Sequence, residues 1–173
     1  CLNDCLFCKR KEKEEFTDLL EVESRLKENR SIGARKICLI GNEPLLLPDI
    51  EGVIGLCGKY GFKDIEVMTS GERLSDNNFV RRLSRMGVSS FSLPLFGADK
   101  ETHDYIVGRP GSFYKVIKGI ENAISCKAKV FVHTNLIKQN IGAIPALERL
   151  VKNELGSPFV VLPIRPKTAN LPF

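Results

Sequence analysis

The amino-acid sequence predicts an α/β fold organised around a parallel sheet. Short apolar runs alternate with longer amphipathic stretches along almost the whole chain, and the runs lie too far apart in sequence for tight turns to join them. Parallel neighbours need a crossover, most often a helix, whereas antiparallel ones can share a two-residue hairpin. Size supports the same reading. The chain has 173 residues, 43% of them hydrophobic, which suits one domain of about 100–200 residues with an interior of its own.

The elements follow in order. A first helix is expected from Glu12 to Arg30, where Phe16, Leu19, Leu20, Val22 and Leu26 recur at helical spacing among charges. Lys36 to Ile40 (KICLI) is an apolar run ending at Gly41 and reads as a buried strand. Pro48 to Tyr60 predicts a helix with proline in its first turn and Gly61 beyond its end, and Asp64 to Met68 the next strand. Ser75 is the expected cap of a helix reaching Met86, followed by a strand over Val88 to Phe96. A glycine- and proline-rich loop then leads to a helix from Ser112 to Ser125. Lys129 to Ile137 is a strand, Ile141 to Glu154 a helix, and Phe159 to Ile164 the fifth strand. His103 falls in the connector and reads as a loop or helix-capping residue. His133 lies in a strand pattern and reads as a packed or edge residue.

Composition excludes several classes of function. No apolar run approaches the ~20 residues of a membrane span, and the N-terminal stretch lacks the basic-then-apolar order of a signal peptide. A cytoplasmic location without a membrane partner is therefore expected. The net charge of +5 is mild, and the run KRKEKEE after Cys8 mixes both signs as a solvated face does, so nucleic acid is not an expected partner. Because the chain opens on cysteine rather than methionine, it reads as part of something longer: one core domain over residues 1–173, incomplete at both ends.

Half of the six cysteines stand in the first eight residues, unlike the spread framework of a small disulfide protein. Cys1, Cys5 and Cys8 are spaced C-x3-C-x2-C. A structural zinc site wants a fourth ligand, but Cys38 and Cys57 fall inside a strand and a helix, where they, like Cys126, are expected as small buried apolar side chains. A four-iron cluster held by three thiolates instead leaves one iron open to a ligand that is not protein. In a parallel α/β sheet chemistry collects where strands end and loops begin. Gly41-Asn42-Glu43-Pro44 follows the first expected strand, Thr69-Ser70-Gly71-Glu72 the second, and Thr102 to Phe113 comes shortly after the third.

Together these motifs resemble the core domain of the radical S-adenosylmethionine (SAM) enzymes. Cys1-x3-Cys5-Leu6-Phe7-Cys8 is similar to the family's cysteine signature, Gly41 to Pro44 to its Gly-Gly-Glu-Pro motif, and Thr69-Ser70-Gly71 to its third-strand pattern. The resemblance implies a partial (β/α)6 TIM-like barrel in which the expected strands are the second to sixth and the first is absent. It implies that Cys1, Cys5 and Cys8 hold a 4Fe-4S cluster whose open iron chelates SAM. By the same resemblance Phe7 packs near the adenine, Gly41, Asn42 and Glu43 meet the methionine amino group, and Thr69 and Ser70 belong to the cofactor site. Ser92 meets the ribose and Arg109 the carboxylate, while Thr134 and Asn135 line the cavity. Asn42 stands where the family has glycine, and Asn is among the few other residues that tolerate positive φ.

The implied reaction is reductive cleavage of SAM to a 5′-deoxyadenosyl radical that abstracts hydrogen from a substrate, with an electron donor such as flavodoxin or ferredoxin. His103-Asp104 and Pro110 to Phe113 are similar to members of the SPASM or peptide-maturase type, which implies a peptide or protein substrate, with a small molecule as the alternative. Two other readings remain. An iron–sulfur electron carrier would need neither the Gly-x-Glu-Pro turn nor the string of βα units, and a truncated member would keep the fold without activity.

Overall fold

The computed structural model of the protein describes residues 1–8 and 18–163. The chain runs through α1 (Leu19–Ser31), β1 (Lys36–Leu39), α2 (Ile50–Lys59), β2 (Asp64–Met68), α3 (Asn77–Arg85) and β3 (Val88–Pro94). It continues with α4 (Lys100–Val107), α5 (Ser112–Ser125), β4 (Lys129–Leu136), α6 (Ile144–Arg149) and β5 (Phe159–Pro163). Short 3-10 turns cover Pro44–Leu46, Glu72–Ser75 and Ile141–Ala143, and a π-helical turn over Leu150–Glu154 prolongs α6.

All five strands pair in parallel in the order β1-β2-β3-β4-β5. Each crossover therefore steps one place in the same direction, and because such crossovers are right-handed, the helices gather on one face. A sheet wound this way curls towards a barrel, whereas a doubly wound sheet reverses direction midway. Pleating then divides the residues. Ile65, Val67, Phe91, Leu93, Val130 and Val132 form one buried cluster with Ile54, Leu83, Val116 and Ile120 from the helices. Burying each such side chain stabilises the fold by about 1.5–3 kcal/mol. Alternate positions, among them Cys38, Glu66, Ser92, Phe131 and His133, line the opposite face in register across neighbouring strands.

The five expected strands are all present, each within a residue or two at its ends among the described residues. Several local expectations need correction. The KRKEKEE run, the expected start of the first helix and Ile164 lie outside the described residues, and the described helix opens at Asp18, whose carboxylate accepts from the Leu20 amide. Asp49 rather than Pro48 opens α2, and its side chain accepts from Gly52 N. Ser75 does not cap α3. It ends a 3-10 turn, and Asp76 takes both the Asn78 and Phe79 amides. The connector after β3 contains an unexpected helix, α4, capped by Asp99 through Thr102 N and ended by Gly108 in the left-handed region.

His103 is consequently no loop residue: it is 1% exposed inside α4. Cys57 is buried as expected and Cys126 half-buried, but Cys38 is exposed. Its neighbours Ile37 and Leu39 pack against the core, so the pleat turns Cys38 to the face without helices. Among the described residues, no helix is long and apolar enough to cross a membrane.

Candidate functional site

Three motifs far apart in sequence meet at the C-terminal end of the sheet, and carboxylates join them. Glu43, 7% exposed, opens the 3-10 turn after β1. Its Oε1 accepts from Leu45 N at 3.2 Å and from the Thr69 hydroxyl at 2.5 Å, while Oε2 accepts from Ser70 N at 2.7 Å. Thr69 Oγ1 in turn accepts from Gly71 N, and the Thr69 amide donates to the Ser92 carbonyl. The Glu43 side chain is thus spent on holding the two loops together, which leaves the backbone of Gly41 and Asn42 exposed at the mouth. Asn42 does not use its tolerance of positive φ: among the described residues Lys127 is the one non-glycine in that region.

The cysteine loop is held from beneath by α4. Asp4 N donates to the Val107 carbonyl at 2.9 Å and Leu6 N to that of Ile106 at 3.0 Å. Gly108 permits this approach, since it has φ +64° and a Cβ there would stand 2.6 Å from the Asp4 carbonyl oxygen. Cys5 and Phe7 pack on a small apolar cluster of Phe96, Ile106 and Val107, and the Phe7 ring meets Phe96 edge-on at 5.3 Å. Burial, reinforced by the neighbouring Cys8, pushes the Cys5 thiol up to about 11. Ligation by a metal must displace that proton.

These residues fit an iron–sulfur cluster. The donor set is three thiols within eight residues, backed by the apolar wall on which Cys5 and Phe7 rest, and low polarity around a cluster tunes its potential. Among the described residues, no three His, Cys, Asp or Glu side chains are already gathered as a metal cage. A cluster held by these thiols would have to draw the loop together. Cys1 and the segment Gly41 to Pro44 line one cavity of about 350 Å³ beside β1.

The other expected site residues divide. Ser92 faces the helix-free side of the sheet, with Oγ 3.3 Å from His133 Nδ1. Asn135 lies on the same face, but Thr134 does not: it is fully buried on the helix side and accepts from Asn140 Nδ2 at 3.2 Å. The two do not line one cavity. Arg109 joins Glu72 to the cysteine loop. Its Nε lies 2.8 and 2.9 Å from the two carboxylate oxygens of Glu72, and its Nη1 donates to the Leu2 carbonyl at 3.2 Å. Glu72, the last residue of the Thr69–Glu72 turn and not among the expected site residues, is 4% exposed and also 3.5 Å from Lys115 Nζ. The available signal was a carboxylate directly after the Thr-Ser-Gly turn, but its partner stands 37 residues away.

The segment from His103 to Phe113 is held by internal hydrogen bonds. His103 Nδ1 accepts from Phe96 N at 3.2 Å and Nε2 lies 3.3 Å from the Ser112 hydroxyl, which defines the neutral Nε2–H tautomer. Burial holds its pKa down at about 4. Asp104 accepts from Gly111 N and Phe113 N, closing the turn into α5.

A family model described as the radical SAM superfamily matches residues 1–151. The AdoMet-dependent heme synthase of Methanosarcina barkeri is 31% identical over 137 residues, 79% of this chain and 38% of that protein. The chain thus spans well under half the length of this curated relative. The structure of Streptococcus suis SuiB bound to S-adenosylmethionine superposes with a TM-score of 0.80 at 20% identity, covering 98% of this chain and 39% of SuiB. That of anSMEcpe with bound AdoMet and a peptide gives 0.78 at 18% identity, with 98% and 51% covered. At these identities the structural likeness speaks for the fold, a partial TIM-like barrel.

Proposed function

The chain belongs to the radical SAM superfamily, whose members use a 4Fe-4S cluster and S-adenosylmethionine, and from that premise we propose that residues 1–173 form the cofactor-cleaving core of such an enzyme. Cys1, Cys5 and Cys8 would hold the cluster. The Gly41 to Glu43 backbone, Ser70, Ser92 and Asn135 would surround SAM, with Phe7 closing the apolar side. When bound, the cluster and SAM supply one-electron cleavage to a 5′-deoxyadenosyl radical that abstracts hydrogen from a substrate.

The chain's own residues prepare that chemistry. Glu43 fixes the two loops at the sheet end, α4 fixes the cysteine loop, and the apolar cluster around Phe96 keeps water from the back of the site. The single observation that carries the reading is the joining of residues 41–44 and 69–72 through Glu43, beside a cavity that Cys1 of the three-cysteine loop lines together with Gly41 and Asn42.

The helix-free face exposes Met68, Phe131, Val160 and Leu162, which supports a substrate with an apolar portion, a peptide side chain or a small molecule. Sequence similarity to a heme synthase supports the small molecule, and the fold shared with peptide-bound anSMEcpe supports the peptide. A flavodoxin or ferredoxin would deliver the electron. The test is anaerobic reconstitution, reduction with dithionite and chromatographic detection of 5′-deoxyadenosine from SAM. Release well above that of Cys5→Ala is expected. Equal traces from both proteins, once the wild type carries its iron, would overturn the proposal.

A further inference from the structure

A carboxylate as deeply buried as Glu72 needs an opposite charge, and Lys115 at 3.5 Å already offers one. Arg109 adds what Lys115 does not. While its Nε sits against both Glu72 oxygens, its Nη1 reaches the Leu2 carbonyl, so one planar guanidinium spans the Thr69–Glu72 turn and the cysteine loop. We propose that Glu72 and Arg109 form a strap that sets the position of the Cys1–Cys8 loop relative to the turn that Glu43 also holds, with Arg109 acting as a positioning residue. The loop is then fixed at two points: at Leu2 by the strap, and at Asp4 and Leu6 by the last carbonyls of α4. Gly108, adjoining Arg109 and bare of a Cβ, lets helix and loop approach closely enough for both. Only a forked donor serves two acceptors in this way, since an ammonium offers a point charge on a flexible stem. The consequence for a cluster rests on the cysteines being its ligands, whereas the strap itself stands on the chain alone.

Arg109→Lys separates the two roles, because lysine can still neutralise Glu72 but cannot bridge to Leu2 in the same pose. In the cluster-free chain, hydrogen exchange of the Asp4 and Leu6 amides should quicken about tenfold, the effect of losing one charge-assisted hydrogen bond. Exchange in β2 and β3 and the urea midpoint should stay near wild type. In the reconstituted protein the same substitution should hasten bleaching by a chelator. If Arg109→Lys does not fold, Glu72→Gln keeps the side-chain size, removes the charge and one of the two acceptors that seat Arg109, and should quicken the same two amides. Faster exchange in a protein that takes up no iron would uphold the strap while removing the cluster reading. Wild-type exchange at Asp4 and Leu6 in the folded variant would overturn the strap, whatever the iron content.

Discussion

Replacing His103 by asparagine should remove a specific part of the protein's sensitivity to acid. The imidazole is 1% exposed, stacked at 5.9 Å on Phe96 and bonded at both nitrogens, and burial lowers its pKa from 6.5 to about 4 despite the opposing pull of Asp104 and Glu72. Because the folded value lies below the unfolded one, the unfolded chain binds the extra proton between them. The stabilisation is complete above about pH 6.5 and is lost as pH falls towards about 4. At about 1.4 kcal/mol per pH unit the whole loss comes to about 3 kcal/mol. Asparagine preserves an acceptor near Nδ1 for the Phe96 amide but does not titrate. Urea unfolding of the cluster-free chain in reductant, from about pH 7 to about pH 5, should give the wild type a slope steeper by about 1 kcal/mol per pH unit than His103→Asn. His133 is present in both proteins and cancels. Parallel slopes would show that His103 is not held neutral by burial, even if the variant is less stable at every pH.

Two further substitutions separate packing from ligation. Cys5→Ala should abolish the brown colour and bound iron after anaerobic reconstitution. Cys57→Ala, at a site with no exposure in α2, should keep both and lose only about 1 kcal/mol of stability; equal iron loss from the two would mean that the wrong cysteines have been assigned. Gly108→Ala places a methyl group 2.6 Å from the Asp4 carbonyl oxygen at φ +64°. It should cost about 1–2 kcal/mol in backbone strain and lower iron retention on gel filtration, and full retention would argue against close packing of loop and helix.

The strands were legible because each is an apolar run between polar crossovers, and a parallel order follows from the length of those crossovers. Helix α4 was hidden for a physical reason. It is short, its inward side includes a histidine, and Gly97, Gly108, Pro110 and Gly111 crowd around it, so the stretch looks like a loop. Cys38 was misjudged because an apolar run does not reveal which of its faces the helices cover. Spacing brought out Cys1, Cys5, Cys8 and the turns at Gly41 and Thr69, since those motifs are contiguous. The pairings that organise them, Glu43 with Thr69 and Ser70, and Glu72 with Arg109, cross 26 to 37 residues and exist only once β1, β2 and α4 are in place. Thr134 and Asn135 show the limit most simply: adjacent in sequence, they point to opposite sides of one strand.

On the proposed reading the three cysteines hold a cluster with an iron left open to SAM. The most direct measurement is the electron paramagnetic resonance spectrum of the reconstituted, dithionite-reduced chain, recorded before and after saturation with SAM. A reduced-cluster signal whose g values shift on adding SAM is expected, and no such signal from Cys5→Ala. A cluster signal that stays the same with and without SAM would contradict that reading.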